Sequence, residues 1–374
     1  MSTIESERRL LAALKPRLRR FDDNALNAEA SPELLDAAIT PVESFFVRNN
    51  GWLPDEYKGD GGAWPFSVDG EVERPETWTL LKLRENFKTV SITAVLECAG
   101  YGRDGFSPPT DGVPWGRGPV GCARWTGVRL ADVLRACGVK PGAVYTGHHS
   151  ADLQADGSGR AAMSRGIPVE KAMAPETLLA FEMNGEPLSF LHGGPLRVAV
   201  PGFPGSAWQK WISRLELRDR EHDGEKMRGT DYRLPVVPVR PGEPVNEAQF
   251  KVITDMPVNS LITAPAQNFT HAENSALEIR GFAWSGHVPL ASVTVSADGG
   301  NEWHAAHLED EVERFAWRRF RATLEIAGPG PVELMARATD IAGRTQPLDS
   351  APWNPRGYGN NAVHRVRGEV RGKA

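Results

Sequence analysis

Residues 96–103 hold the strongest candidate for chemistry in this sequence. They read LECAGYGR, so Cys98 follows an apolar, β-type run and precedes a loop with glycines at 100 and 102. Glycines allow the backbone of such a loop to approach a bulky ligand closely. A thiolate binds soft redox metals and is also a strong nucleophile. The fragment alone leaves three alternatives for Cys98: a metal ligand, a nucleophile or a buried structural thiol.

The other two cysteines, Cys122 and Cys137, are expected to be structural. The chain of 374 residues has three cysteines, and none of them forms a C-x-x-C or C-x-x-C-H motif. This excludes a disulfide scaffold, a four-cysteine zinc site and a covalently attached c-type haem. Cys137 lies on the apolar face of a predicted helix, and Cys122 is assigned to a glycine-rich loop with no base nearby in sequence. A thiol hydrolase built on Cys98 would also lack any local signature.

Composition and charge exclude several classes of partner. The net charge of −5 argues against a broad nucleic-acid footprint. No apolar run approaches the roughly 18 residues of a membrane-spanning helix. Arg8 and Arg9 resemble a twin-arginine export signal, but the apolar stretch 10–14 is too short to follow it as a signal core. The expected location is therefore cytoplasmic for the chain as written, or periplasmic if an export signal has been removed.

Short elements must position these residues, and their pattern predicts an α+β fold. Residues 1–40 are predicted to form an N-terminal helix and linker, with a second helix beginning at Ser31 and Pro32. A β-rich run over 91–97 leads to Cys98, and a helix over 130–137 ends at Gly138. Strands and helices alternate irregularly as far as about residue 219, which is not a regular βαβ repeat.

The amino-acid composition changes between residues 235 and 260, where five prolines mark a linker-like segment. Several short strands with turn signals follow, including runs over 277–284, 292–296, 315–324 and 332–339. This spacing over a little more than 100 residues is typical of an immunoglobulin-like β-sandwich. The predicted organisation is an N-terminal helix and linker (1–40), a catalytic domain (41–242) and an immunoglobulin-like domain (243–374).

Five segments together resemble the sulfite oxidase family of molybdenum enzymes. The LECAG motif at 96–100 resembles the family's cysteine motif, and FFVRNN at 45–50 resembles its F-x-x-R-N-H segment. Residues 114–128 resemble the family's W-G-x-G…A-x-W-x-G-V stretch. The most specific block joins 178–188 to HGGPLRVAVPG at 192–202, and WNPRGYGNNAVHRV at 353–366 resembles the C-terminal signature. The matches extend over residues 41–367.

The resemblance implies a molybdopterin-binding α+β domain followed by an immunoglobulin-like dimerisation domain. It implies a molybdenum–molybdopterin cofactor with Cys98 as the protein's metal ligand, and oxidation of sulfite to sulfate. The sequence contains neither a fused haem module nor a dinucleotide fingerprint, so electrons are expected to pass to a separate acceptor, a c-type cytochrome. A homodimer without nucleic acid or a membrane span is expected.

The resemblance also implies a set of site residues. Sulfite is a small oxyanion, and a buried site for it needs paired guanidinium donors. Catalytic and pocket roles are therefore expected for Arg48, Arg356, Tyr232 and Trp115. Cofactor binding is expected for Phe46, Arg48, Asn49, Asn50, Cys98, Asp152, His192, Arg197, Ser206, Gln209 and Lys210.

Four departures from the family pattern leave the substrate open. Asn50 stands where the family often has His, and Tyr101 where Asn is usual. Asp111 stands where animal members tend to carry a basic residue, which weakens the positive rim of the pocket. Ala207 stands in place of an Arg, and Lys210 and Trp208 are candidates to replace that cation. The alternatives are a same-fold reductase of nitrate or sulfoxides, and a cofactor-free binding protein that kept the fold.

Overall fold

The computed structural model describes residues 4–21, 25–54, 61–326 and 328–372. Its α-helices are α1 (Ile4–Leu14), α2 (Leu80–Asn86), α3 (Leu130–Cys137) and α4 (Val169–Ala172). Its strands are β1 (Arg19–Arg20), β2 (Ala28–Glu29), β3 (Pro65–Gly70), β4 (Glu76–Thr79), β5 (Thr89–Glu97), β6 (Val120–Arg129), β7 (Tyr145–Ser150), β8 (Leu178–Met183), β9 (Glu186–Pro187), β10 (Arg197–Ala199), β11 (Ile212–Arg218), β12 (Arg233–Pro235), β13 (Phe250–Val252), β14 (Asn259–Ala264), β15 (Phe269–Ala272), β16 (Ser275–Trp284), β17 (Leu290–Ser296), β18 (His304–Ala305), β19 (His307–Leu308), β20 (Arg318–Ile326), β21 (Gly330–Asp340) and β22 (His364–Arg371).

Two sheets form the first part of the molecule. One has the strand order β10-β8-β6-β5, with β9 paired to β8, and the other has the order β4-β3-β11-β7. A large apolar core is shared by these elements and includes Phe66, Trp125, Leu179 and Trp208. The family-like HGGPLRVAVPG block supplies β10 and the turns on either side of it, and LECAG begins at the end of β5. The strands therefore bring distant motifs to one region.

The predicted α+β organisation of this part is confirmed, with local corrections. The predicted helix over 130–137 is α3, and Gly138 ends it in the left-handed conformation with φ 70°. The helix predicted to begin at Ser31 and Pro32 begins there, with Ser31 at the N-cap, but it is a single 3₁₀ turn, Pro32–Leu35. The Ser31 hydroxyl donates to Glu33 Oε1 and makes no capping hydrogen bond. Cys122 lies inside β6 and not in a glycine-rich loop, and it is fully buried.

The C-terminal part is the predicted β-sandwich. Its sheets have the strand orders β14-β16-β20-β19 and β15-β22-β21-β17-β18. Alternate residues of the facing strands fill the space between the sheets, including Ile279, Phe320, Val295 and Leu334. This packing matches the period-two pattern that the sequence shows in this region.

The N-terminal segment packs against both parts. Leu11, Leu18 and Leu26 share an apolar cluster with Trp284 and Trp317 of the sandwich. The carboxylate of Asp36 also accepts hydrogen bonds from the side chains of Arg280 and Arg319, at 2.9 and 2.8 Å. In the described residues, no helix is long and apolar enough to cross a membrane.

Candidate active site

Cys98 lies directly after the last residue of β5. Its N–H donates to the Pro119 carbonyl at 2.9 Å, and its carbonyl accepts from the Tyr101 N–H at 2.9 Å, so the backbone at the thiol is held on both sides. All three cysteines are free. Burial raises the pKa of the Cys98 thiol, and the positive charges of Arg48 and Arg103 oppose that rise. Two guanidinium groups therefore favour the thiolate that a metal would bind.

Arg103 reaches the site through the glycines of the same loop. Its Nε donates to the Arg356 carbonyl at 2.9 Å and its Nη1 to the Val113 carbonyl at 2.8 Å. A Cβ on Gly100 would lie 2.5 Å from Arg103 Nη2, closer than real Cβ contacts allow. Position 100 therefore needs glycine because the guanidinium packs against its Cα.

A first cavity of about 640 Å³, partly open to solvent, lies on one side of Cys98. Every residue expected from the sequence to bind the cofactor lines it. These are Phe46, Arg48, Asn49, Asn50, Cys98, Asp152, His192, Arg197, Ser206, Gln209 and Lys210. They come from five separate stretches of the chain, and the folding of the two N-terminal sheets brings them together.

The walls of this first cavity carry an excess of basic groups. Burial lowers the pKa values of His192 and Lys210 well below their ordinary values, and lowers the pKa of Arg197 to about 9. Burial also raises the pKa of Asp152 to about 6, and Asp152 is the one carboxylate among the described lining residues. Cations in a poorly solvated wall are stabilised by an anion, so the cavity is suited to an anionic ligand.

Three buried polar atoms of the first cavity point to the same ligand. Asn49 Nδ2, Arg197 Nε and Ser206 Oγ have no hydrogen-bond partner within the described part of the chain. Buried polar groups are normally satisfied, and each exception needs a cause. A ligand with several oxygen and nitrogen acceptors would satisfy all three, as a pterin phosphate does. The donor set therefore fits the implied cofactor.

A second cavity, of about 430 Å³, shares Arg48, Cys98 and Tyr232 with the first. Cys98 therefore lies where the two cavities meet. The second cavity is lined by four cationic side chains, Arg48, Arg103, Lys226 and Arg356, and by two carboxylates, Asp111 and Asp231. Arg356 Nε lies 3.1 Å from Asp231 Oδ1, and this ion pair fixes the direction of the guanidinium.

Tyr232 lines both cavities and is held by contacts with an aromatic ring and a guanidinium group. Its φ of 51° places it in the left-handed region, which is rare for a residue with a side chain and typical of functional sites. Its ring stacks on Tyr358 at 5.2 Å, with Arg165 over the other side at 5.1 Å. Burial alone would raise the pKa of Tyr232, yet Arg48 and Lys226 leave it below its ordinary value.

The hydroxyl of Tyr232 donates to Asn50 Oδ1 at 3.3 Å. Asn50 Oδ1 also accepts from Arg48 Nη2 at 2.8 Å. The amide that replaces the family's usual His therefore connects the tyrosine and the arginine. An Asn carbonyl accepts both hydrogen bonds without any change of protonation state.

The structure does not bring Trp115 to either cavity. Its ring is fully buried and packs edge-on against Phe21, with centroids 4.8 Å apart, and Val113 lines the second cavity instead. The lining residues that the sequence analysis missed include Arg103, Lys226 and Tyr358. Arg103 and Tyr358 lie inside the recognised motifs, so their positions carried a usable signal. Lys226 lies outside every motif and had none.

Comparison with known proteins also points to a molybdopterin-binding domain and a dimerisation domain. Residues 50–226 match the oxidoreductase molybdopterin binding domain, and residues 250–370 match the Mo-co oxidoreductase dimerisation domain. The sulfite oxidase of Gallus gallus is 33% identical over 363 residues, covering 94% of this chain and 77% of that protein. This chain belongs to the sulfite oxidase family of molybdopterin oxidoreductases. Within that family it carries the cysteine, the basic first cavity and the dimerisation domain on one chain.

Other similar proteins are named for different reactions. The mitochondrial sulfite oxidase of Homo sapiens is 35% identical over 368 residues, or 94% of this chain, and this chain spans 65% of its length. A nitrate reductase of Hordeum vulgare is 32% identical over 354 residues, or 88% of this chain and 39% of that protein. The solved sulfane dehydrogenase SoxCD of Paracoccus pantotrophus superposes with a TM-score of 0.76 at 26% identity, covering 96% of this chain and 88% of that one.

The family's cofactor explains a further feature of the site. No group of three or more His, Cys, Asp or Glu side chains in the described ranges could hold a metal ion. A site with one protein ligand needs the remaining ligands from a cofactor, which the dithiolene of molybdopterin supplies. Cys98, which lines both cavities, is the candidate protein ligand for such a coordination sphere.

Proposed function

We propose that this protein oxidises sulfite to sulfate with a molybdenum–molybdopterin cofactor and passes the electrons to a separate acceptor. The observation that carries the proposal is the position of Cys98 between two cavities of different character. One cavity is basic and has three unsatisfied polar atoms in its walls, and the other is lined with guanidinium groups. The first suits the cofactor and the second a small oxyanion.

The charges of the second cavity favour sulfite among small oxyanions. Its four cationic side chains exceed its two carboxylates by two positive charges. This excess matches the dianionic form of sulfite better than it matches nitrate, a monoanion, or a neutral sulfoxide. Planar guanidinium groups bind oxyanions with paired hydrogen bonds, and Arg48, Arg103 and Arg356 are the available donors.

The bound cofactor supplies the two-electron redox chemistry, and the protein's own side chains do the rest. The arginines orient the anion and hold its negative charge in a site with little water. Tyr232 keeps a hydroxyl proton at the boundary of the two cavities, where its hydrogen bond to Asn50 fixes its direction. Cys98 would attach the metal of the cofactor to the fold. Both of its backbone polar groups are hydrogen-bonded, which fixes the position of the thiol.

The acceptor and the assembly are part of the same proposal. The name of the solved neighbour, SoxCD, describes a dehydrogenase, and a c-type cytochrome is the acceptor that we propose for this chain. The match of residues 250–370 to a dimerisation domain supports a homodimer. Such interfaces are usually two-fold and self-complementary.

The test is a steady-state assay of the metal-loaded protein with sulfite as donor and ferricyanide as acceptor. We expect turnover with sulfite, and much slower reduction of nitrate or a sulfoxide by a reduced dye. Metal analysis and a visible spectrum accompany the assay, because a thiolate bound to molybdenum absorbs in the visible region. Loaded protein without sulfite turnover would overturn the proposal. Protein that takes up no molybdenum in a cofactor-competent host would favour a binding protein that kept the fold.

A further inference from the structure

The N-terminal segment inserts a buried cation behind the wall of the first cavity. Lys15 directly follows α1, and its N–H donates to the Leu11 carbonyl at 2.9 Å. Its side chain is 3% exposed, and Nζ lies 2.9 Å from His192 Nε2, a residue 177 positions away. The same ammonium donates to the carbonyl of Val42. Lys15 does not itself line the cavity, whereas His192 does.

This contact decides the tautomer of His192. An ammonium group has donors and no acceptor, so Nε2 of the imidazole must accept the hydrogen bond. Burial and the neighbouring charges of Lys15 and Lys210 lower the pKa of His192, so the ring is neutral. A neutral ring that accepts at Nε2 carries its proton at Nδ1. Lys15 thereby leaves Nδ1–H as the single donor of this imidazole.

Lys15 also adds positive charge next to a cavity wall in which cations outnumber carboxylates. Burial lowers the pKa of Lys15 to about 8, although the charge of Glu43 opposes this. The charges of Arg197 and Lys210 also act on His192. Both residues line the cavity, together with one carboxylate, Asp152. Cations buried in this way are stabilised when an anion enters.

We propose that Lys15 is a positioning residue for the cofactor's phosphate, acting through His192. It holds the imidazole in the Nδ1–H form and adds positive charge behind the wall that the phosphate contacts. The N-terminal segment is therefore part of the cofactor-binding machinery. This inference rests on the proposed function, because it needs the cofactor to occupy the first cavity.

The test follows release of the cofactor from the loaded protein, without using activity. Lys15→Met keeps the length of the side chain and removes its charge. We expect it to release molybdenum and pterin about tenfold faster on dilution, since a hydrogen bond to a charged group contributes on this scale. Lys15→Arg restores a donor and should release them at nearly the wild-type rate. Metal analysis and the fluorescence of oxidised pterin provide the measurements.

A matched control separates this role from simple packing. Leu11→Ala truncates a buried side chain of α1, 2% exposed, and leaves the ammonium in place. It should lower the melting temperature at least as much as Lys15→Met while retaining the cofactor. In ¹⁵N-histidine spectra of the loaded protein, wild type should show His192 as the Nδ1–H tautomer, and Lys15→Met should lose that signature.

Two results would overturn the inference. One is release from Lys15→Met at the wild-type rate, and the other is release from Leu11→Ala that rises as much as from Lys15→Met. Failure of the proposed function would give a different result: the wild-type protein itself would contain no molybdenum or would not turn over sulfite.

Discussion

Cys98 differs from the other two cysteines in its surroundings and not in its burial. All three thiols are buried, and burial raises the pKa of Cys122 to about 12 and of Cys137 to about 11. Cys98 alone among them has two arginines opposing that rise and two cavities beside it. The neighbouring charge, and not the thiol itself, makes this cysteine suitable as a metal ligand.

At this scale we predict the effect of replacing the thiol. Cys98→Ser should lose sulfite turnover and the visible absorption of the thiolate bound to molybdenum, because a hydroxyl is a poor ligand for a soft metal. Its far-UV circular dichroism and oligomeric state should remain those of wild type. Cys137→Ala is the matched control, and it should retain metal and turnover at a cost of about 1 kcal/mol in stability. Retention of full activity by Cys98→Ser would refute the ligand assignment.

Among the elements, the loop after β5 has a specific requirement for space at Gly100. It turns the chain from Cys98 to Arg103 within five residues, and it succeeds because Gly100 has no side chain. The guanidinium of Arg103 then bonds two carbonyls, those of Val113 and Arg356, from distant parts of the chain. The loop therefore couples the position of the cysteine to that of the arginines lining the second cavity.

We predict that Gly100→Ala displaces this guanidinium and raises the KM for sulfite about tenfold or more. The added Cβ would lie 2.5 Å from Arg103 Nη2, and the side chain must move away from the second cavity. Gly142→Ala is the control, since a Cβ there meets nothing within 4 Å. Steady-state kinetics of both variants check the prediction, and an unchanged KM in Gly100→Ala would contradict it.

The N-terminal strand β2 carries a carboxyl group whose titration affects stability. Glu29 Oε2 accepts from the Gly116 N–H at 2.9 Å, and burial raises the pKa of Glu29 from 4.5 to about 7. The folded state therefore binds this proton more tightly than the unfolded state. Its contribution to the free energy of unfolding is largest below pH 4.5 and is lost as the pH rises to about 7.

We therefore predict that Glu29→Gln flattens the pH dependence of stability. The variant should lose less stability than wild type between pH 5 and pH 8, by roughly 1–3 kcal/mol. Denaturant unfolding at several pH values, followed by tryptophan fluorescence, measures this difference. Other buried carboxyls titrate in both proteins and cancel in the comparison. Parallel curves for the two proteins would show that Glu29 is not the group responsible.

In the whole molecule, the residue before the thiol connects the two halves. Glu97 Oε2 accepts from Trp284 Nε1 at 2.6 Å and from Asn259 Nδ2 at 3.4 Å, and both donors belong to the sandwich. The ring of Tyr101 packs edge-on against Trp284, with centroids 5.9 Å apart. The C-terminal domain therefore supports the loop of Cys98 directly, in addition to any role in assembly.

The dimer prediction belongs to this scale. The protein should elute as a particle of twice the 40.9 kDa chain mass, measured by light scattering at micromolar concentration. A stable two-fold interface buries about 1,200 Å² or more, and the sandwich is the part matched to a dimerisation domain. Because residues 250–370 carry that match, the species should persist in Cys98→Ser. A single-chain mass under these conditions would contradict the proposed homodimer.

Local sequence pattern was sufficient for much of the fold. Apolar alternation located the strands of the sandwich, and Gly138 marked the end of α3 because its left-handed conformation suits glycine. The pattern located the helix start at Ser31 but not its capping, because one hydroxyl had two possible partners, the backbone of a helix or Glu33. Side-chain competition of this kind is decided by local geometry that the pattern does not contain.

The sequence by itself determined which residue types were available: the cysteine of the LECAG motif, and cations in motifs far apart along the chain. The tertiary structure decided which of them meet. It placed Cys98 between two cavities, left Trp115 outside both, and added Lys226 and Lys15, which no motif marks. The physical reason is that a contact between residues 177 positions apart depends on how sheets and loops pack, and such packing has no signature in the local order of residues.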